Sequence, residues 1–174
     1  MKIAWARRVT IDNLMAVVKC CINLGWPIQT NLSNLLTCIA FETGRTFSPS
    51  VKNAAGSGAV GLIQFMPSTA KDLGTTTAAL AAMTFMEQMK YVEMYFRPYA
   101  KKVRTLEDLY LAIFMPKLIG ATLQTIVFSQ GSVGYDQNKG FDATKKGYIN
   151  VFDITDRIRK MSDEGMSANN ALDI

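Results

Sequence analysis

A chain of 174 residues that is 49% hydrophobic and 19% charged can bury a proper core, which excludes disorder and favours one domain. Its net charge of +5 suits nucleic acid, an anionic membrane or an anionic polymer such as a cell wall, but Arg7-Arg8, Lys101-Lys102-Arg104 and Lys145-Lys146 form no stripe, which argues against nucleic acid. With no histidine there is no Ser/His or Cys/His nucleophile pair and no His-containing zinc site, so chemistry must rest on carboxylates, hydroxyls or a hard metal.

The first segment, "MKIAWARRVTIDN", is basic but has no unbroken apolar run and no small-residue cleavage site, so a signal peptide is not expected. No later run reaches the ~18 apolar residues of a membrane span. Ile11, Leu14, Met15, Val18, Cys21 and Ile22 recur at three and four residues and predict an amphipathic helix ending near Gly25 and Pro27. Cys20 and Cys21 are expected to pack as small apolar residues, and a disulfide from Cys38 to one of them is open. Leu32, Leu35, Leu36 and Ile39 predict a second helix, capped by Thr30 or Asn31 and carrying Glu42 at its C-terminal end.

Asn53 to Gly61 reads as a loop or small hairpin, followed by a short helix from Ser68 to Leu73 that Gly74 stops. Thr84 and Glu87 form a capping box for a helix that Pro98 ends, and Thr105 with Asp108 caps another, Leu106 to Met115, broken by Pro116. Leu118 to Ser129 predicts a further apolar helix. Strands have little support outside the glycine region, so the expected class is mainly α.

Glu42 is the residue that carries chemistry. The apolar helix before it places its carboxyl where a buried face meets a loop, at the negative end of the helix dipole. Both features raise a carboxyl pKa and suit a general acid near neutral pH.

"FETG", followed by "NAAGSGAVGLIQFMPSTA", resembles the lysozyme-like lytic transglycosylases, whose pattern is a Glu followed by Ser or Thr and then a Gly-Ala-x-Gly-Leu-Met-Gln segment. Here that segment is Gly58-Ala59-Val60-Gly61-Leu62-Ile63-Gln64, and "YVEMYFRPY", "TLEDLYLAIFMPKLIG" and "GYDQNKGFDATKKGYI" are similar to the phage-borne branch. The resemblance runs from about position 30 to 155. It implies a lysozyme-like fold, with residues 1–174 as one domain and the helix 11–26 and tail 156–174 peripheral. It also implies cleavage of the β-1,4 bond between N-acetylmuramic acid and N-acetylglucosamine in peptidoglycan, with Glu42 as general acid and base. A single Glu suffices because the sugar's own C6 hydroxyl attacks C1. Asp72, Glu87, Glu93 and Asp108 are the acids that could instead fold nearby and position water, as in a goose-type lysozyme.

The same resemblance implies that Ser57 and Gln64 contact substrate. Phe114, in "LAIFMP", and Tyr135, in "GYDQN", compete for the aromatic that lines the saccharide cleft. Phe65 and Met66 are expected in the core. The segment Asp142 to Asp153 has the frame of an EF-hand-like loop, but Lys146 stands where an acid belongs, so a calcium shape without metal is expected. No cofactor is implied. The expected setting is a phage particle, on a tail or injection apparatus, acting in the host periplasm beside other virion proteins. An endolysin awaiting release from the host cytoplasm is the second setting, and a non-catalytic, glycan-binding virion subunit is the second function.

Overall fold

Helix α1, Ile11–Asn23, starts where the Thr10 hydroxyl accepts the Asn13 N–H at 3.2 Å. Helix α2, Ile28–Glu42, begins at Pro27 without a side-chain cap, so the expected Thr30 or Asn31 cap gives way to a proline start. Short helices α3, Pro67–Asp72, and α4, Thr77–Ala82, follow, the latter capped by Thr76. Helices α5, Phe85–Phe96, and α6, Leu106–Phe114, carry the expected capping boxes Thr84/Glu87 and Thr105/Asp108. Helix α7 is Val133–Asn138, and α8, Val151–Gly165, has a third capping box, Asn150/Asp153. A computed structural model describes residues 1–173, and their mainly α architecture is the expected class.

The core centres on α2. Leu32, Leu35, Leu36, Cys38, Ile39 and Ala40 are all buried, as are the polar Asn31, Ser33 and Thr37, so this helix is buried on most sides rather than along one stripe. It packs against α1, α6 and α8, while α1 also meets α5 and α6 meets α8. Each fully buried Leu or Ile contributes about 1.5–3 kcal/mol, which holds the end of α2 in a fixed place. Cys20, Cys21 and Cys38 are free thiols in this core, so the possible disulfide is not formed. Burial pushes all three thiols up, Cys21 to about 12.

Four short strands are present where few were expected. Strand β1, Lys2–Ile3, pairs antiparallel with β4, Leu172–Asp173, and β2, Ile126–Ser129, pairs antiparallel with β3, Tyr148–Asn150. Beside the terminal pair, the buried Trp5 donates from Nε1 to the Met161 carbonyl at 3.1 Å. Helix 11–26 and the tail 156–174 both contribute buried residues, among them Val17, Cys21, Ile158 and Met161.

The apolar helix expected over Leu118 to Ser129 is absent among the described residues. Instead a 3-10 turn, Pro116–Leu118, leads to Gly120 at φ 82°, and the Asp108 carboxylate accepts the Gly120 N–H at 2.9 Å. That contact stops the helical path, and β-branched Thr125, Ile126 and Val127 continue in extended form. The hairpin considered for Asn53 to Gly61 reduces to isolated bridges, Lys52 to Val60 and Val60 to Phe65. Phe65 is buried as expected, whereas Met66 is 43% exposed, because it is the N-cap of α3 and turns outward.

Candidate active site

Glu42 is the last residue of α2, and the threonine after it fixes the helix end. The Thr43 hydroxyl donates to the Ile39 carbonyl at 2.7 Å and accepts the Phe47 N–H at 3.0 Å, and the residue is 1% exposed. The Glu-Thr pair thus has a local reason: Thr43 locks the turn that ends the helix at Glu42.

The Glu42 side chain is partly buried. Among the described residues it has no hydrogen-bond or ion-pair partner, and no fully buried side-chain polar atom lacks one, so its oxygens are open to solvent. Desolvation by the surrounding protein raises its pKa from 4.5 to about 7. A carboxyl in that state is protonated in mildly acidic solution and ionised in mildly basic solution, as a group that gives and retakes a proton requires.

The raised pKa also couples Glu42 to stability. Between about pH 4.5 and 7 the folded chain holds one more proton than the unfolded chain, so this contribution is complete below 4.5 and is lost as pH rises through 7. Glu42→Gln removes it. The variant is expected to melt higher than the wild type at pH 8–9, by the equivalent of about 1–3 kcal/mol, and to match it near pH 4. Equal melting of both proteins at both pH values would mean an ordinary carboxyl.

Two tyrosines feel the Glu42 charge. Burial raises the Tyr95 hydroxyl to about 12, with Tyr99 and Glu42 adding to the rise, and burial followed by Glu42 raises Tyr110 further still. The Tyr95 hydroxyl donates to the Ala112 carbonyl at 2.7 Å and so ties α5 to α6. Tyr110 continues an aromatic row: Phe41 at 5.2 Å, Phe114 stacked at 6.1 Å and then Phe141 at 5.7 Å from Phe114. The Arg157 guanidinium closes the row, 4.6 Å from the Phe141 ring.

The glycine segment meets Tyr95 as well, through Gln64. Gln64 lies in a small cleft with Ile63, Met66, Thr69, Tyr95 and Ile113. Its Nε2 donates to the carbonyls of Val51 and Gly61 at 3.2 and 3.1 Å, which leaves Oε1 as the free acceptor. The segment is held from beneath by Gln88. That side chain is fully buried, accepts the Leu62 N–H at 2.6 Å, and donates to the carbonyls of Pro49 and Leu80 at 2.9 and 2.8 Å. Gly61, at φ 89°, lets this happen, since a Cβ there would lie 2.3 Å from Gln88 Oε1.

The other expected contacts sit apart. Ser57 is on the exposed part of the loop, where its hydroxyl accepts the Ala59 N–H at 3.2 Å. Tyr135 donates its hydroxyl to Asp142 at 2.7 Å. Of the two competing aromatics, Phe114 is the one joined to the row through Tyr110, whereas Tyr135 is engaged with Asp142. The remaining acids are committed elsewhere. Glu87 and Asp108 cap helices, Glu93 accepts from Asn23 and pairs with Arg97, and Asp72 is exposed at the end of α3.

In the loop from Asp142 to Asp153, the Lys146 ammonium donates to both Asp153 oxygens at 2.6 Å, and Asp142 accepts the backbone N–H groups of Lys146 and Gly147. These carboxylates are occupied by protein donors. Tyr95 and Gln88 escape a reading of motifs, and the motif names Thr43 without its role at the helix end. The repeat Tyr91, Tyr95, Tyr99 at four-residue spacing is the signal that marks Tyr95, whereas nothing local marks Gln88.

Residues 29–94, from the first turn of α2 into the last turn of α5, match the family model described as the transglycosylase SLT domain. That match holds Glu42, Ser57, Gln64 and Gln88, whereas Phe114 and Tyr135 lie outside it. No curated protein and no solved structure matches the chain. No helix among the described residues is long and apolar enough to cross a membrane. Members of the SLT family are lytic transglycosylases acting on peptidoglycan, and the mostly helical architecture is consistent with their lysozyme-like fold. Residues 29–94 match the transglycosylase SLT domain, and that match supports a lytic transglycosylase of the lysozyme-like family.

Proposed function

We propose that Glu42 alone performs the proton transfers of peptidoglycan cleavage. The observation that carries this is a carboxyl of raised pKa, open to solvent and unpartnered, with the other acids near it in the chain already engaged or exposed. As the acid, Glu42 protonates the oxygen of the N-acetylmuramic acid–N-acetylglucosamine bond as the C1–O bond breaks. As the carboxylate, it then takes the proton of the C6 hydroxyl while that oxygen attacks C1. The bond formed closes a 1,6-anhydro ring and no water is consumed. The cleft floor is built by Gln64, whose free Oε1 suits an N-acetyl N–H, and its wall by the partly exposed Phe114, stacked on the buried Tyr110, whose ring suits a sugar face. Ser57 and Tyr135 are proposed as outer contacts, reached by a longer glycan strand.

Cleavage of purified peptidoglycan, followed as loss of turbidity against pH, tests the acid role. The rate is expected to fall as pH rises through about 7, because the protonated form of Glu42 is lost. A rate that keeps rising to pH 9 would assign the proton to another group.

The setting we propose is a phage particle, with the enzyme on the tail or injection apparatus, beside other virion proteins and acting in the host periplasm. The support is the similarity of "YVEMYFRPY", "TLEDLYLAIFMPKLIG" and "GYDQNKGFDATKKGYI" to the phage-borne branch. Detection of the chain in purified virions tests it, and its presence only in lysed host cells would favour an endolysin.

A further inference from the structure

The side of α1 that faces away from the core carries a second apolar stripe. Ile11, Met15, Val18 and Ile22 follow at four, three and four residues, the spacing of a helix that packs along another helix. Ile11 is 70%, Met15 57% and Ile22 59% exposed, while Leu14, Val17, Cys21 and Leu24 take the core side. Beside the stripe, α1 and α5 enclose a groove of about 380 Å³ whose apolar wall includes Met15, Met86 and Met89 and whose charged lining is Asp12 and Lys19 from α1 and Lys90 and Glu93 from α5. A contiguous exposed face of large apolar residues is uncommon on a monomer and marks a contact surface.

Two charges say what the surface fits. Asp12 and Lys19 are exposed and, among the described residues, have no ion-pair partner. They stand seven residues apart, so they share one heptad position, directly beside the stripe. The matching position on the other flank is Leu14 and Cys21, which is buried against the rest of the chain. When two such helices pack antiparallel, like flanks meet. Ile11 then lies opposite Ile22 of a second copy, Met15 opposite Val18, and Asp12 beside Lys19, each pairing made twice. A parallel arrangement would bring the charged flank onto the buried one and satisfy neither charge.

We propose that this face is the interface of a homodimer, two copies of the chain packing α1 against α1 antiparallel about a two-fold axis. The interface is isologous, as a closed dimer requires. A 13-residue helix is about 20 Å long, so the contact is small and the dimer is reversible. This inference stands on α1 and α5 alone and does not depend on the role of Glu42.

Sedimentation and light scattering of the full chain from ~1 µM to ~1 mM, the range that covers weak association, test it. The expected result is a monomer that becomes a dimer as concentration rises. Met15→Lys should weaken the dimer at least about tenfold, one charge left facing an apolar layer being worth ~1.4 kcal/mol or more. Asp12→Lys and Lys19→Asp should each weaken it, and the double variant should restore it. All these positions are exposed, and unchanged thermal unfolding confirms that the folds are intact. A wild type that stays monomeric throughout would overturn the proposal. So would a dimer indifferent to Met15→Lys, or a double variant no better than the single ones.

Discussion

Glu42→Gln is expected to lower the release of soluble fragments from purified peptidoglycan by at least about 10²-fold, the contribution a general acid–base group makes. The substitution keeps the shape of the side chain and removes its acidic proton. It should not disturb the fold, because the carboxyl has no hydrogen-bond or ion-pair partner among the described residues and the helix end is held by Thr43. Combined with the higher melting temperature expected for this variant at pH 8–9, the result separates chemistry from stability: activity falls while stability rises. Glu42→Asp keeps a carboxyl but withdraws it by about one methylene, and should recover only part of the rate. An undiminished rate in Glu42→Gln would take this residue out of the chemistry and leave its raised pKa as a property of packing alone.

Gln88→Leu is expected to have the largest effect on stability. The substitution leaves the Leu62 N–H and the Pro49 carbonyl without their partner, while the Leu80 carbonyl keeps only the Met83 N–H at 3.1 Å, and Gln88 itself is fully buried. One unsatisfied buried group costs about 1–3 kcal/mol, and water cannot easily replace a side chain at this depth. The loss should therefore reach about 3–5 kcal/mol, in the range reserved for broken buried networks. Gly61→Ala attacks the same contact from the other side, through a Cβ that would meet Gln88 Oε1 at 2.3 Å on backbone with φ 89°. The two substitutions share one interaction, so the double variant should lose less than the sum of the single ones. Denaturant unfolding of the three variants checks this, and fully additive losses would mean that Gln88 and Gly61 do not hold the glycine segment together. Activity should fall with the loop, since Gln64 sits on the turn that Gly61 begins.

The parts of the fold that could be read from the residues are those in which local signals agree. Helices α5 and α6 have a cap, a 3.6-residue apolar period and a stop, α1 has the period and the stop, and all appear near their expected bounds. The segment after Pro116 misled because its apolar content suits a helix, while the contact that redirects it comes from Asp108, twelve residues earlier. Strands β1 and β4 are two residues each and join the two ends of the chain, so no periodicity could announce them.

The site divides in the same way. Glu42 and Gln64 lie on a compact motif and could be named from sequence. The support for them could not, since Gln88 acts on Leu62 from 26 residues away and Tyr95 reaches Ala112 across two helices. The EF-hand-like frame of residues 142–153 was legible as a turn, and Lys146 shows why spacing alone is a weak guide: its ammonium takes up the Asp153 carboxylate.

The central claim is that one carboxyl does the work of two, with the sugar's own hydroxyl as nucleophile. Mass spectrometry of the muropeptides released from purified peptidoglycan tests it most directly. The account predicts 1,6-anhydro products from the wild type and none from Glu42→Gln. Products with free reducing ends, heavier by one water, would contradict it, because they require a water nucleophile and a second group to position it.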